Sequence, residues 1–197
     1  VDEIQCGVGR SGTFFAFEQA GIVPDVILCS KGIGGSQPLS VVIYNKKLDT
    51  WTAGAHAGTF RGNQLAMKAG TIVINRVSKP EFLKEVQEKG QLLLEGLVRL
   101  KEKVSIIGDV RGTGLMIGCE FVDPKGQPDA IGSLPASGDI AALVQKKCFE
   151  NKLVMEKGGR HGSVMRCLCA LNITKEEINT FLSIFERVVM EIDASAR

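Results

Sequence analysis

The sequence predicts an α/β fold followed by a smaller α+β section, and three observations carry that prediction. Residues 26–29, Val-Ile-Leu-Cys, form an unbroken apolar run of strand length, the pattern of a strand buried on both faces of a parallel sheet. A short helical stretch precedes it, and a second strand-like run, residues 39–44, follows it. From Pro80 onward the patterns run helix, strands, helix, strands, helix. The expected division is therefore residues 1–79, part of a larger α/β domain with a connecting helix, and residues 80–197, a small α+β domain.

Residues 2–5 close a strand and lead into Gly7-Val8-Gly9-Arg10-Ser11-Gly12. A short helix over 13–20 is stopped by Gly21 and Pro24. Residues 49–62 are a long loop of glycine and small polar residues, a length that in a compact domain points to function or mobility. Asn63 is placed to cap a helix that runs to Val77. After Pro80, the apolar positions 82, 83, 86, 93, 94, 97 and 100 mark one face of a long amphipathic helix, with Gly90 as its weak point. Strands are expected over 104–108 and 115–122, around a turn at Arg111-Gly112-Thr113-Gly114. Residues 123–138 read as a loop, 139–152 as a helix, and 153–156 and 163–171 as strands. Thr174 and Glu177 form a capping-box signature that opens the last helix.

Composition excludes several function classes. With 44% hydrophobic and 23% charged residues, the 197-residue chain has the make-up of a globular protein. A net charge of +2 without runs of like charge leaves no basic stripe for nucleic acid. The longest apolar runs are too short to cross a bilayer. Six cysteines, at 6, 29, 119, 148, 167 and 169, contain no Cys-x-x-Cys pair and read as buried free thiols of a reducing cytoplasm. His56 and His161 have no metal-ligand spacing, so no metal site is expected. Val1 reads as the end of a strand that begins outside the sequence, and the chain as a fragment cut on its N-terminal side.

The chemistry centres on Lys31. It follows the apolar run and enters Gly32-Ile33-Gly34-Gly35, at the strand's C-terminal end, where open α/β sheets bind ligands. A desolvated lysine there suits Schiff-base chemistry, because burial favours the neutral, nucleophilic amine. Taken alone, Ser30-Lys31-Gly32 also fits a surface lysine in a loop. The glycines at 7, 9 and 12 match G-x-G-x-x-G, so a nucleotide-binding oxidoreductase is a rival reading. Against it stand the short following helix, an Asp25 that opens the next strand instead of closing it, and the polar residues Arg10 and Ser11 between the glycines.

Asp2-Glu3-Ile4-Gln5, Gly7-x-Gly9-Arg10-x-Gly12, Pro24-Asp25 and Ser30-Lys31-x-x-Gly34-Gly35 occur together in this order, with Lys31 29 positions after Asp2. Gly58-Thr59-Phe60-x-Gly62-Asn63 and Arg111-Gly112-x-Gly114-Leu115-Met116-x-Gly118 extend the set along nearly the whole chain. The combination resembles the class III, ornithine-type aminotransferases, which use pyridoxal 5'-phosphate. The resemblance implies the C-terminal part of a pyridoxal-phosphate-dependent fold type I: part of a large-domain mixed, mostly parallel sheet plus the small domain. It gives Asp2 to the cofactor's ring nitrogen, Gln5 to its phenolic oxygen, and Lys31 to the Schiff base and to proton transfer. Thr59 resembles the threonine that reaches the cofactor phosphate of the neighbouring subunit, which implies a homodimer. Arg166 aligns with the arginine that grips a substrate carboxylate. The family's usual proline-rich continuation is replaced here by Cys167-Leu168-Cys169-Ala170-Leu171. Arg111 reads as a structural turn residue.

Glu3 to Gly12, Trp51 to Asn63, and Gly158-Gly159-Arg160-His161-Gly162 are most similar to the group that moves the 4-amino group of L-2,4-diaminobutyrate to 2-oxoglutarate. Ornithine, acetylornithine or 4-aminobutyrate remain alternative donors within the family, and a non-catalytic scaffold is the further alternative. Family members are over twice this length, so the chain alone is expected not to transaminate.

Overall fold

A computed structural model describes residues 1–59 and 61–196. The chain divides into two compact units, Val1–Val86 and Gln87–Arg197, so the division falls inside a helix rather than before Pro80.

In the first unit, β1 (Val26–Cys29) pairs antiparallel with β2 (Val41–Tyr44), with Val26 opposite Tyr44 and Cys29 opposite Val41. On its other side, β1 meets the start of the chain through a single parallel bridge, Asp2 to Leu28. Glu3 N donates to Leu28 O at 2.9 Å and Leu28 N to Val1 O at 3.0 Å. Full burial of β1 is not what these residues show. Cys29 is buried with Val8, Ile33 and Val77, whereas Leu28 is 37% exposed. An apolar run is buried on both faces only when a layer packs on each, and the cluster covers one.

The helix expected over 13–20 is a five-residue 3-10 turn, Ala16–Ala20, closed by left-handed Gly21. No α-helix opens on Gly12, which removes the helix N-terminus that a dinucleotide phosphate would need. α1 (Gln64–Val77) starts where the capping residue requires: Asn63 Oδ1 accepts from Leu65 N at 3.0 Å and Ala66 N at 3.2 Å. The backbone of α1 comes close to the turn after Lys31, since a Cβ on Gly70 would lie 2.5 Å from Ile33 O.

α2 (Pro80–Lys101) runs through the division, and Val86, Leu93, Leu97 and Leu100 are buried along one stripe. The second unit holds an antiparallel sheet in the order β3-β4-β6-β5, made of β3 (Ile107–Thr113), β4 (Met116–Phe121), β5 (Glu156–Gly158) and β6 (Val164–Cys167). β4 alternates partly buried and fully buried residues, as a strand with one core face should. Several strand boundaries differ from expectation, among them the end of β6 at Cys167 rather than 171. β3 continues through Arg111, whose guanidinium pairs with Asp109 at 2.8 Å and Glu120 at 2.6 Å, so Arg111 is a strand residue rather than a turn residue. β5 begins at Glu156, where residues 153–156 had been expected. Gly90, too, is a close-approach position rather than a weak point: a Cβ there would lie 2.2 Å from Gly114 O.

α3 (Gly138–Glu150) is capped by Ser137, and α4 (Lys175–Ala196) by the expected box. Glu177 N donates to Thr174 Oγ1 at 3.1 Å, and Thr174 N donates to Glu177 Oε2 at 2.8 Å. Near its end, α4 carries buried Asp193, whose Oδ1 accepts from Ser105 N and Ser105 Oγ, both at 2.7 Å, and from Ile106 N at 3.3 Å. These bonds fasten the entry to β3. Among the described residues, no helix is long and apolar enough to cross a membrane.

Candidate active site

Three predicted site residues sit on two joined backbone segments of the first unit. Asp2 is bridged to Leu28, and Lys31 follows Leu28 by three residues. Adjacent strands lie about 4.8 Å apart, so the chain ends beyond the bridge emerge side by side. Asp2 is exposed, and its Oδ1 accepts from Ile4 N at 2.9 Å, which fixes the start of the turn that carries Gln5. Gln5 is half-buried in that turn.

Lys31 opens a 3-10 turn, Lys31–Gly34, with φ of 48°, in the left-handed region. For a residue with a side chain that conformation is strained, and such strain gathers at functional positions. The neighbours over-determine it. Ser30 Oγ donates to Leu39 O at 3.1 Å, Ile33 N bonds to Ser30 O at 3.2 Å, and Gly35 N bonds to Gly32 O at 3.1 Å. Val8, itself left-handed with φ of 55°, is 4% exposed and packs toward Gly32. The turn after Gln5 is thus packed on the turn that holds Lys31. The Lys31 side chain itself is exposed in this chain, not desolvated as expected, because the cluster of Val8, Cys29 and Ile33 lies under its backbone and does not cover it.

Thr59 lies elsewhere in the first unit. It lines a cleft of about 1080 Å³ with Tyr44, Trp51, His56, Arg61 and Asn63, and Asp2, Gln5 and Lys31 are not among the described residues of that cleft. Trp51 Nε1 donates to Tyr44 Oη at 3.0 Å, and Tyr44 Oη donates to Asp49 Oδ1 at 3.2 Å, which braces the loop. Phe60 of the same motif lies outside the described residues.

Arg166 belongs to the second unit. It stands on β6 opposite Glu156 of β5, and the two form an ion pair at 3.2 Å. Both line a cleft of about 940 Å³ with Met155, Cys169, Ile173 and Phe181. A guanidinium held this way keeps its fork in one orientation, and an incoming carboxylate would compete with Glu156 for it.

Burial keeps four of the thiols out of nucleophilic chemistry. Burial, helped by a hydrogen bond to Glu3, pushes Cys6 up to about 11. Burial likewise lifts Cys119 to about 12, Cys148 to about 11 and Cys167 well above its ordinary value. These four stay protonated at neutral pH. Four of the six cysteines are buried, Cys6 and Cys169 are half-exposed, and none of the six forms a disulfide. Among the described residues, no group of three or more His, Cys, Asp or Glu is arranged to hold a metal.

Residue patterns alone left three contributors unmarked: Glu3, Val8 and Glu156. Glu3 had a signal, because it alternates with Asp2 along a strand end and so must face the other way.

The model of the family "Aminotransferase class-III" matches residues 1–189. A diaminobutyrate–2-oxoglutarate aminotransferase of Haemophilus influenzae is 46% identical over 191 residues, covering 97% of this chain and 42% of that protein. One from Rhizobium meliloti is 49% identical over 179 residues, covering 91% of this chain and 38% of that protein. Among solved structures, an ornithine δ-aminotransferase of Plasmodium falciparum superposes with a TM-score of 0.82 at 25% identity, covering 98% of this chain and 47% of that one. The chain thus spans less than half the length of each of these relatives, and family members depend on pyridoxal phosphate. By the family match over nearly its whole length, the chain belongs to the class III aminotransferases.

Proposed function

We propose that the protein carrying this chain transfers the 4-amino group of L-2,4-diaminobutyrate to 2-oxoglutarate, giving L-aspartate 4-semialdehyde and L-glutamate, with pyridoxal 5'-phosphate as cofactor. The observation that carries this reading is the bridge between Asp2 and Leu28, which brings the carboxylate and amide segment beside the strained turn of Lys31. The donor set fits the cofactor: a carboxylate for a ring N–H, an amide for a phenolic oxygen and a primary amine for an aldehyde. When bound, the cofactor supplies the electron sink for the pair left by a departing C–H proton.

The chain's own residues do the rest. Asp2 holds the proton at the ring nitrogen, since neighbouring opposite charges favour each other's charged forms. Gln5 donates from its side-chain amide to the phenolic oxygen. Lys31 would hold the cofactor through its Nζ at the aldehyde carbon, and as a free amine the same Nζ would take the proton from the substrate carbon. Arg166 takes a substrate carboxylate in its fork after exchanging Glu156. Thr59 donates its hydroxyl to the phosphate of the neighbouring subunit's cofactor in a homodimer. The exposed apolar residues Val42, Ile43, Trp51, Leu65 and Ile72 support such an interface in the first unit. Free cysteines support a cytoplasmic setting.

Ornithine is the second reading, favoured by the likeness to the ornithine δ-aminotransferase. The test is a donor panel on the full-length protein with 2-oxoglutarate, comparing kcat/KM for diaminobutyrate, ornithine, acetylornithine and 4-aminobutyrate. Diaminobutyrate is expected to lead. A higher kcat/KM for another donor transfers the assignment to it, and no transfer from any donor refutes the reading.

A further inference from the structure

We propose that Glu3 is a positioning residue for the cofactor site, its buried carboxylate fixing the strand end that bears Asp2 and the turn that bears Gln5. This rests on the reading of Asp2 and Gln5 as cofactor ligands. Glu3 is 2% exposed, the only buried acidic residue of the first unit among those described. Its side chain leaves the strand on the face opposite Asp2, because successive residues of a strand alternate. There it meets a segment thirteen and fourteen residues further on. Ala16 N donates to Oε2 and Phe17 N donates to Oε1, both at 2.9 Å. Cys6 Sγ donates to Oε2 at 3.3 Å.

The backbone of Glu3 is held as firmly as its side chain. Glu3 N donates to Leu28 O at 2.9 Å, and Gly7 N donates to Glu3 O at 3.1 Å. Gln5 therefore sits in a short turn with both ends anchored on Glu3, through Cys6 and Gly7 on one side and the strand on the other. The seat is tight: a Cβ on Gly7 would lie 2.8 Å from Glu3 O and 2.9 Å from Glu3 Oε2. A buried carboxylate is stable only when its oxygens are satisfied, so this one commits the segment at 16–17 to lie across the strand end. Asp2 and Gln5 inherit their placement from that clamp, and Glu3 itself touches neither substrate nor cofactor.

Glu3→Gln keeps the size but leaves a single acceptor oxygen. One of the two N–H groups then faces an NH₂ donor, and the clamp opens on that side. Ala16→Pro deletes one donor and leaves Glu3 intact. Proline suits this site, because residue 16 opens the 3-10 turn and Phe15 before it is already extended, with φ of −112° and ψ of 141°. The experiment titrates pyridoxal phosphate into the full-length apo-protein, unmodified and with each substitution. It reads the dissociation constant, the pH midpoint of the bound cofactor's absorption and the thermal midpoint. Asp193→Ala, which strips a buried carboxylate from the second unit, is the control for stability alone.

Both Glu3→Gln and Ala16→Pro are expected to weaken cofactor binding by roughly tenfold, the scale of one lost hydrogen bond to a charged group. Both should also move the absorption midpoint, while Asp193→Ala lowers the thermal midpoint and leaves affinity and absorption unchanged. Unmodified affinity and absorption in Glu3→Gln and Ala16→Pro, even with lowered thermal midpoints, would overturn the proposal. Should one variant not fold, the other decides. If the unmodified protein takes up no pyridoxal phosphate, the functional reading itself fails along with this inference.

Discussion

Lys31 is held at a φ of 48° by hydrogen bonds on both sides of it and by Val8 packed toward Gly32. A non-glycine residue in that region costs on the order of 1 kcal/mol or more, and a protein keeps such a cost where the side chain is needed. Lys31→Gly removes the strain with the amine. It is expected to raise stability by about 1 kcal/mol in urea unfolding while abolishing amino transfer. A destabilised Lys31→Gly protein would contradict the strain argument. The sequence announces this lysine, because an apolar run ending in Ser30-Lys31 before glycines is a visible pattern. It does not announce the left-handed backbone or the exposure of the side chain, since both depend on what packs under the turn. Glu156 is hidden for a similar reason. Its partnership with Arg166 arises from the β5–β6 register, and one residue of slip would have sent it to the other face.

Helices were legible wherever caps and periodicity agreed. Asn63 before α1 and the Thr174–Glu177 box before α4 act through bonds local in sequence, so residues alone reveal them. Asn63→Ala leaves Leu65 N and Ala66 N without their acceptor and is expected to cost about 1 kcal/mol in chemical denaturation. A loss well below half of that would show that α1 draws its stability from packing alone. Strand limits were less legible. β3 extends to Thr113 because it pairs with β4 along six register positions and Arg111 bonds to Asp109 and Glu120. Gly90 reads as a weak point from the residues alone, yet Gly90, like Gly70, marks a place where a helix backbone comes against other backbone. For both glycines the deciding partner lies far along the chain.

At the scale of the molecule, alternating helix and strand patterns predict an α/β part followed by an α+β part. They cannot fix a boundary that falls within one continuous amphipathic helix, α2. Asp2, Gln5, Lys31 and Thr59 lie in the first unit and Arg166 in the second. In the proposed chemistry Lys31 is the residue that binds the cofactor covalently. The most direct measurement is borohydride reduction of the full-length protein loaded with pyridoxal phosphate, followed by peptide mass spectrometry. The account predicts one phosphopyridoxyl group, on Lys31. A label on another lysine, or no label at all, would contradict it.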